Sequence, residues 1–189
     1  MRRYYFDQNN DRRTSFTGCY TDNQQQPDIS NDTNGLMIQS ALTQGGHQVV
    51  DYQIVRDDRE EILKHLHEWV CSVDVVITSG GTGLAKRDVT LETVEPLFDK
   101  PIPGFAGLMT AMAYRNDYGV QSLAYRSSAG VCRQCLIFCL PGLPRLIKVG
   151  MEKIILPEVS ICTSNCKSNG HNMKKSDVTI NRPPCISYI

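Results

Sequence analysis

The chain has 189 residues, 41% of them hydrophobic, and its 20 basic side chains are balanced by 20 acidic ones. That length suits one α/β unit with a buried core and is short for two. The neutral balance, with no basic run or stripe, excludes the electrostatic footprint of a nucleic-acid or membrane-surface binder and leaves a small-molecule or protein partner. No apolar run approaches the twenty or so residues of a membrane span, and the opening "MRRYYFDQNN" turns polar after three aromatics, so a cytoplasmic, soluble protein is expected.

Residues 1–31 read as a polar N-terminal segment: "DNQQQPDISND" is loop-like, and Arg3 to Phe6 is the one short strand candidate. In "NDTNGLMIQSALTQGGH", Asp32 or Thr33 can cap a helix, Leu36, Ile38, Ala41 and Leu42 supply its apolar stripe, and Gly45-Gly46 ends it in left-handed geometry. "HQVVDYQIV" alternates as a strand, and "DREEILKHLHEWVC" repeats apolar residues at helical spacing behind an Asp58/Glu61 capping box. In "VDVVIT" the apolar residues are consecutive, as in a parallel strand covered on both faces. A short helix from about Thr90 to Phe98 follows, then a longer one opened by "PIPGF", then strands in "VQSLAYRSSAG" and "CLIFCLPG". "PRLIKVGMEKIILPE" closes the pattern as a helix with Pro144 in its first turn. The expected fold is α/β, three layers (αβα) around a mostly parallel sheet, spanning 32–157, with 158–189 as a polar tail.

The eight cysteines do not form a recognisable metal framework. A strand would turn Cys135, Ile137 and Cys139 to one face, as small core residues. Cys132 and Cys135 form a lone C-x-x-C, and Cys162, Cys166 and His171 lack a second pair at zinc spacing.

The chemistry concentrates in "ITSGGTGLAKRDVT", where a buried strand runs into a turn with glycines at 80, 81 and 83. Ligands of a doubly wound sheet bind outside the carboxyl ends of its strands, and this turn lies at such an end. Bare backbone at Gly80, Gly81 and Gly83 permits close approach, its N–H groups can form an anion cradle, and Ser79 and Thr82 add hydroxyls. The spacing fits neither the P-loop nor the dinucleotide fingerprint, and a tight turn that only lets the next helix pack back is the competing reading. Asp88, five residues past Gly83, suits a phosphate cradle if Mg²⁺ lies between them, and Asp57, at the end of the preceding strand, could be a second carboxylate. Asp57 and Asp58 equally fit helix capping.

"SGGTGLAKRDVT", "FDKPIPGF", "AYRSSAG" and "LIFCLPGLP", in this order, resemble the MoaB/Mog-type molybdenum cofactor biosynthesis family, which includes the G domain of gephyrin. "NDTNG", "HQVVDYQIVRDDREEI" and "MEKIILPE" look like its MoaB branch. The resemblance implies a molybdopterin-binding-domain-like fold. It implies a molybdopterin adenylyltransferase that takes molybdopterin and ATP with Mg²⁺ and releases pyrophosphate. The glycine turn (Ser79, Gly80, Gly81, Thr82, Gly83) would hold phosphate, with Gly142 at the same rim. Asp57 and Asp88 would be the catalytic, metal-associated pair, and the assembly a homotrimer or homohexamer. Relatives open with an apolar interior strand ending in Ser-Asp; here "MRRYYFDQNNDRRT" offers Asn10-Asp11 at that place, which leaves the first strand in question. A non-catalytic molybdopterin-binding or scaffolding protein of the same fold is therefore the alternative.

Overall fold

Parallel strands buried on both faces need helices on both sides, and the chain supplies them in alternation. The structure is a computed structural model describing residues 14–20 and 32–168. Its elements are β1 (Thr14–Tyr20), α1 (Thr33–Gln44), β2 (Val49–Arg56), α2 (Arg59–Trp69), β3 (Val75–Ser79), α3 (Thr90–Val94), β4 (Lys100–Pro101), α4 (Pro103–Ala113), β5 (Ser128–Cys132), β6 (Cys135–Leu140), α5 (Pro144–Gly150) and α6 (Leu156–Ser168). The six strands form one sheet in the order β2-β1-β3-β6-β5-β4. β2, β1, β3 and β6 are mutually parallel, β5 runs against β6, and β4 against β5. The expected three-layer, mostly parallel α/β architecture is what the chain adopts.

Side-chain parity divides the core. Val75 and Ile77 of β3 with Leu136, Phe138 and Leu140 of β6 face α1, α4, α5 and α6. Val76, Cys135, Ile137 and Cys139 face α2 and α3, which contribute Ile62, Leu66, Trp69, Leu91 and Val94. Both β3 and β6 are buried at every residue. Burial holds the Cys135 thiol well above its usual range and pushes Cys139 up to about 12, so both behave as protonated apolar residues.

Three boundaries differ from the sequence reading. The first strand is Thr14–Tyr20, in register with both neighbours through Phe16 opposite Tyr52 and Ile77. Arg3 to Phe6 lies outside the described residues. "TSFTGCY" is β-branched and aromatic but has no apolar run, and its place between β2 and β3 outweighs its polarity. Secondly, 119–124 is a 3₁₀ turn and the strand begins only at Ser128. Thirdly, helix continues past Pro157 to Ser168, so this part of the expected tail belongs to the fold. A wide π turn at Met151–Ile155 precedes Pro157 and absorbs its missing N–H, while Val159 and Thr163 are buried on the far side. The folded unit thus extends beyond 32–157 at both ends.

Candidate functional site

Because β1, β2, β3 and β6 are parallel, the loops leaving them share one rim. Gly80 N donates to the Leu140 carbonyl at 3.0 Å, which holds the glycine turn after β3 against the loop after β6. A Cβ on Gly142 would come within 3.3 Å of the Gly80 Cα, so Gly142 is there for backbone-on-backbone contact. Asn34, at the start of α1, donates through Nδ2 to the Gly142 carbonyl at 3.0 Å. Asp32 accepts from the Tyr52 hydroxyl at 2.8 Å instead of capping its own helix, and this pair fills the space above Gly35.

The two carboxylates singled out in the sequence converge on this turn. A Cβ at Gly81 would strike Asp57 Oδ1 and Thr90 Oγ1, and one at Gly83 would meet Asp88 Oδ2 at 2.5 Å. Asp57 and Asp88 therefore lie against glycines two positions apart. Of the two capping candidates, Asp58 caps α2, accepting from Glu61 N at 3.0 Å. The reciprocal arm of the capping box is replaced, because the Glu61 carboxylate pairs with Arg56 at 2.8 Å. Asp88 is steadied by Ala85 N, which donates to Oδ2 at 3.0 Å.

The expectation that the glycines serve ligand approach more than chain reversal needs correction at Gly81. Its φ is +65°, and its missing side chain makes room for Asp57 and Thr90 of the same chain. Gly80, with φ +93°, also needs positive φ. Thr90 completes the turn from the other side, its Oγ1 donating to the Gly80 carbonyl at 3.0 Å and its N to the Gly81 carbonyl at 2.9 Å. Thr82 is buried, and Ser79 Oγ and Asn34 Oδ1 are buried at the rim with no hydrogen-bond partner among the described residues. Buried polar atoms of that kind are usually paired, and at this rim they are open to a group that enters it.

Arg126 is the contributor whose role the sequence did not disclose. Its Nε donates to the Thr82 carbonyl at 2.9 Å, Nη2 to the Gly83 carbonyl at 2.7 Å and Nη1 to Glu92 at 2.7 Å. The guanidinium beside Glu92 holds that carboxyl below its usual range, although burial opposes the shift. Only the planar fork of an arginine reaches all three acceptors. Lys86 and Arg87 are exposed.

Among the described residues no three His, Cys, Asp or Glu side chains come together as a ligand set. A cation at this turn would take the Asp57 and Asp88 carboxylates and fill its shell with water and phosphate oxygens, the habit of Mg²⁺. The donor set fits that ion.

The sequence profile of the family described as "Probable molybdopterin binding domain" matches residues 19–160. "Molybdenum cofactor biosynthesis protein B" of Staphylococcus epidermidis is 44% identical over 138 residues, covering 70% of this chain and 78% of the relative. The protein of that name from Bacillus subtilis is 34% identical over 131 residues, covering 68% and 77%. A crystal structure of a molybdenum cofactor biosynthesis protein B superposes with a TM-score of 0.75 at 34% identity, over 81% of this chain and 94% of that one. The tungsten cofactor synthesizing protein MoaB from Pyrococcus furiosus gives 0.69 at 32% identity, over 80% and 94%. A rim that gathers two carboxylates on a glycine turn and a sequence match running from the end of β1 through β6 agree: the chain belongs to the molybdenum cofactor biosynthesis family and is MoaB-type.

Proposed function

We propose that this protein catalyses the Mg²⁺-dependent adenylylation of molybdopterin by ATP, giving adenylylated molybdopterin and pyrophosphate. The observation that carries the reading is the placement of Asp57 and Asp88 against Gly81 and Gly83. The molybdopterin phosphate oxygen attacks the α-phosphorus of ATP, a P–O bond forms, and the bond to the departing pyrophosphate breaks. No protein nucleophile is needed, so catalysis rests on positioning and charge neutralisation. Asp57 and Asp88 would hold Mg²⁺, which would supply neutralisation of the phosphate charge. The backbone of residues 79–83 cradles phosphate, and Arg126 holds that backbone in shape through two carbonyls.

The alternative of a non-catalytic binding protein rested on a missing first strand, and β1 occupies that interior place. In sequence, Thr21-Asp22 follows β1, and it replaces Asn10-Asp11 as the counterpart of the Ser-Asp that the resemblance implies after the first strand.

The protein acts in the cytoplasm as a homotrimer or homohexamer in this proposal. No helix among the described residues is long and apolar enough to cross a membrane. Leu108, Tyr114, Val120 and Leu123, on α4 and the turns after it, are between 52% and 76% exposed, an apolar surface that subunit contact would cover.

The test is incubation of purified protein with molybdopterin and MgATP. Stoichiometric pyrophosphate and adenylylated pterin are expected. Binding of molybdopterin without either product would establish the non-catalytic alternative.

A further inference from the structure

The C-x-x-C of the sequence lies at the opposite end of β6 from the glycine turn, and the proposed reaction makes no use of it. Cys132 ends β5 and Cys135 begins β6, with only Arg133 and Gln134 between them. Arg133 has φ +59°, the left-handed conformation with which a two-residue hairpin turn matches the twist of its strands. That turn fixes the register, and Cys132 is directly opposite Cys135. Its tip is pinned from two sides: Arg133 N donates to Asp99 Oδ2, and the guanidinium donates through Nη1 to Cys71 Sγ. Cys135 and Leu140 are the two ends of β6. Roughly 17 Å of strand therefore separates the pair from the rim.

Directly opposed residues point their side chains to the same face of a sheet, and both of these lie in the core layer of α2 and α3. Their Cα atoms are then roughly 4.5–5.5 Å apart, inside the span of roughly 4.4–6.8 Å that a disulfide bridges. Both cysteines are thiols in this structure. Burial, and after it the neighbouring Cys132, holds the Cys135 thiol well above its usual range, so the two sulfurs lie within each other's field. Cys132 is 7% exposed and Cys135 fully buried, so a reagent reaches Cys132 first, past the exposed Arg133 and Gln134. Packing alone asks for two small apolar side chains and does not require them to face one another.

We infer that Cys132 and Cys135 are a redox-active dithiol, which a low-molecular-weight disulfide converts to a disulfide across the β5–β6 hairpin. The Cys132 sulfur attacks one sulfur of the reagent RS–SR: a bond from Cys132 to SR forms, the RS–SR bond breaks, and the departing RS⁻ takes up the proton that Cys132 gives up. The Cys135 sulfur then attacks Cys132, the Cys132–SR bond breaks, and the second RS⁻ leaves with the Cys135 proton. Two protein thiols are oxidised and the reagent is reduced to two RSH. The opposed register holds the second thiol beside the first, which offsets its reluctance to ionise. The bridge is neutral, so burial does not oppose it; burial opposes the thiolate through which it forms and reopens, and both steps are slow. The inference is independent of the adenylyl-transfer reading, and neither its success nor its failure bears on pyrophosphate release.

The experiment exposes the folded full chain to excess glutathione disulfide, quenches with acid, alkylates the remaining thiols in denaturant and maps the peptides by mass spectrometry. Alkylation of both Cys132 and Cys135 should fall about tenfold or more, with the two joined to each other and restored by dithiothreitol. Cys139, on the same face and fully buried, should stay alkylated and so report that the fold is kept. Cys135→Ser should stop at a glutathione adduct on Cys132, and Cys132→Ser should leave Cys135 reduced. Full alkylation of both cysteines in the wild type, an adduct on Cys132 that never closes, or a bridge from either to another cysteine overturns the inference. So does a bridge that forms only together with loss of the Cys139 thiol, because the unfolded chain then made it. Should Cys135→Ser melt early, Cys132→Ser decides alone: a reduced Cys135 supports the exchange through Cys132, and an oxidised one overturns it.

Discussion

The same glycine turn asks different things of neighbouring residues, and substitutions separate them. Asp88→Asn keeps a side chain that can still accept from Ala85 N but removes charge beside the proposed phosphate cradle. Pyrophosphate release is expected to fall about a hundredfold or more with an unchanged melting temperature, and Asp57→Asn should do the same. Gly81→Ala is a different experiment. With φ at +65° and Asp57 and Thr90 where the methyl must go, it should lose about 1 kcal/mol or more, seen as a melting temperature lower by roughly 2–4 °C. A wild-type melt would mean that the turn relaxes freely. Cys139 yields a pH effect of definite sign. Its folded thiol is raised to about 12 by burial, so the folded state keeps a proton that the unfolded chain releases earlier. The resulting stability is whole below the ordinary thiol range and is lost as pH rises toward about 12. Thermal melts across that alkaline range should therefore decline less steeply for Cys139→Ala than for the wild type. At this scale the sequence was informative where a residue's chemistry was its own signal: the two carboxylates and the glycines were legible. Arg126 was not, because its role consists of contacts with carbonyls more than forty positions away.

At the scale of elements, legibility followed periodicity. Consecutive apolar residues identified β3 and β6 as buried strands, and parity placed Cys135, Ile137 and Cys139 on one face, where the structure has them. β1 and the far half of α6 carry weak patterns, and their assignment is made by neighbours: β2 and β3 for the strand, the α1/α4 face of the core for the helix. Val159→Ala tests the latter. Val159 is 5% exposed, so truncation should cost roughly 2 kcal/mol, whereas a loose tail would register nothing in a denaturant titration. Arg126 couples β5 to the glycine turn, and lysine cannot reproduce its fork. Arg126→Lys should lower kcat more than it raises KM, with the loss in kcat/KM on the order of tenfold, because the cradle is displaced and its carboxylates are retained. A change confined to thermal stability would make Arg126 a structural tie only.

For the whole molecule, the exposed apolar side chains of Leu108, Tyr114, Val120 and Leu123 are the surface that the proposed assembly would cover. Light scattering should give a trimer or a multiple of it, and the double substitution Leu108→Glu with Leu123→Glu should shift the population toward monomer. A wild-type monomer at micromolar concentration would exclude the assembly.

The strand order also sets a timetable for synthesis. β1, β2 and β3 can pair as they emerge, and so can β4 and β5, yet within the sheet the two groups join through β6, the last of the described strands. Until residues 135–140 leave the ribosome, the edge of β3, "VVITS", is an open apolar strand of the kind that recruits other chains. The completed sheet is safe; the unfinished one is sticky, and the interval between them is the synthesis of some sixty residues after Ser79.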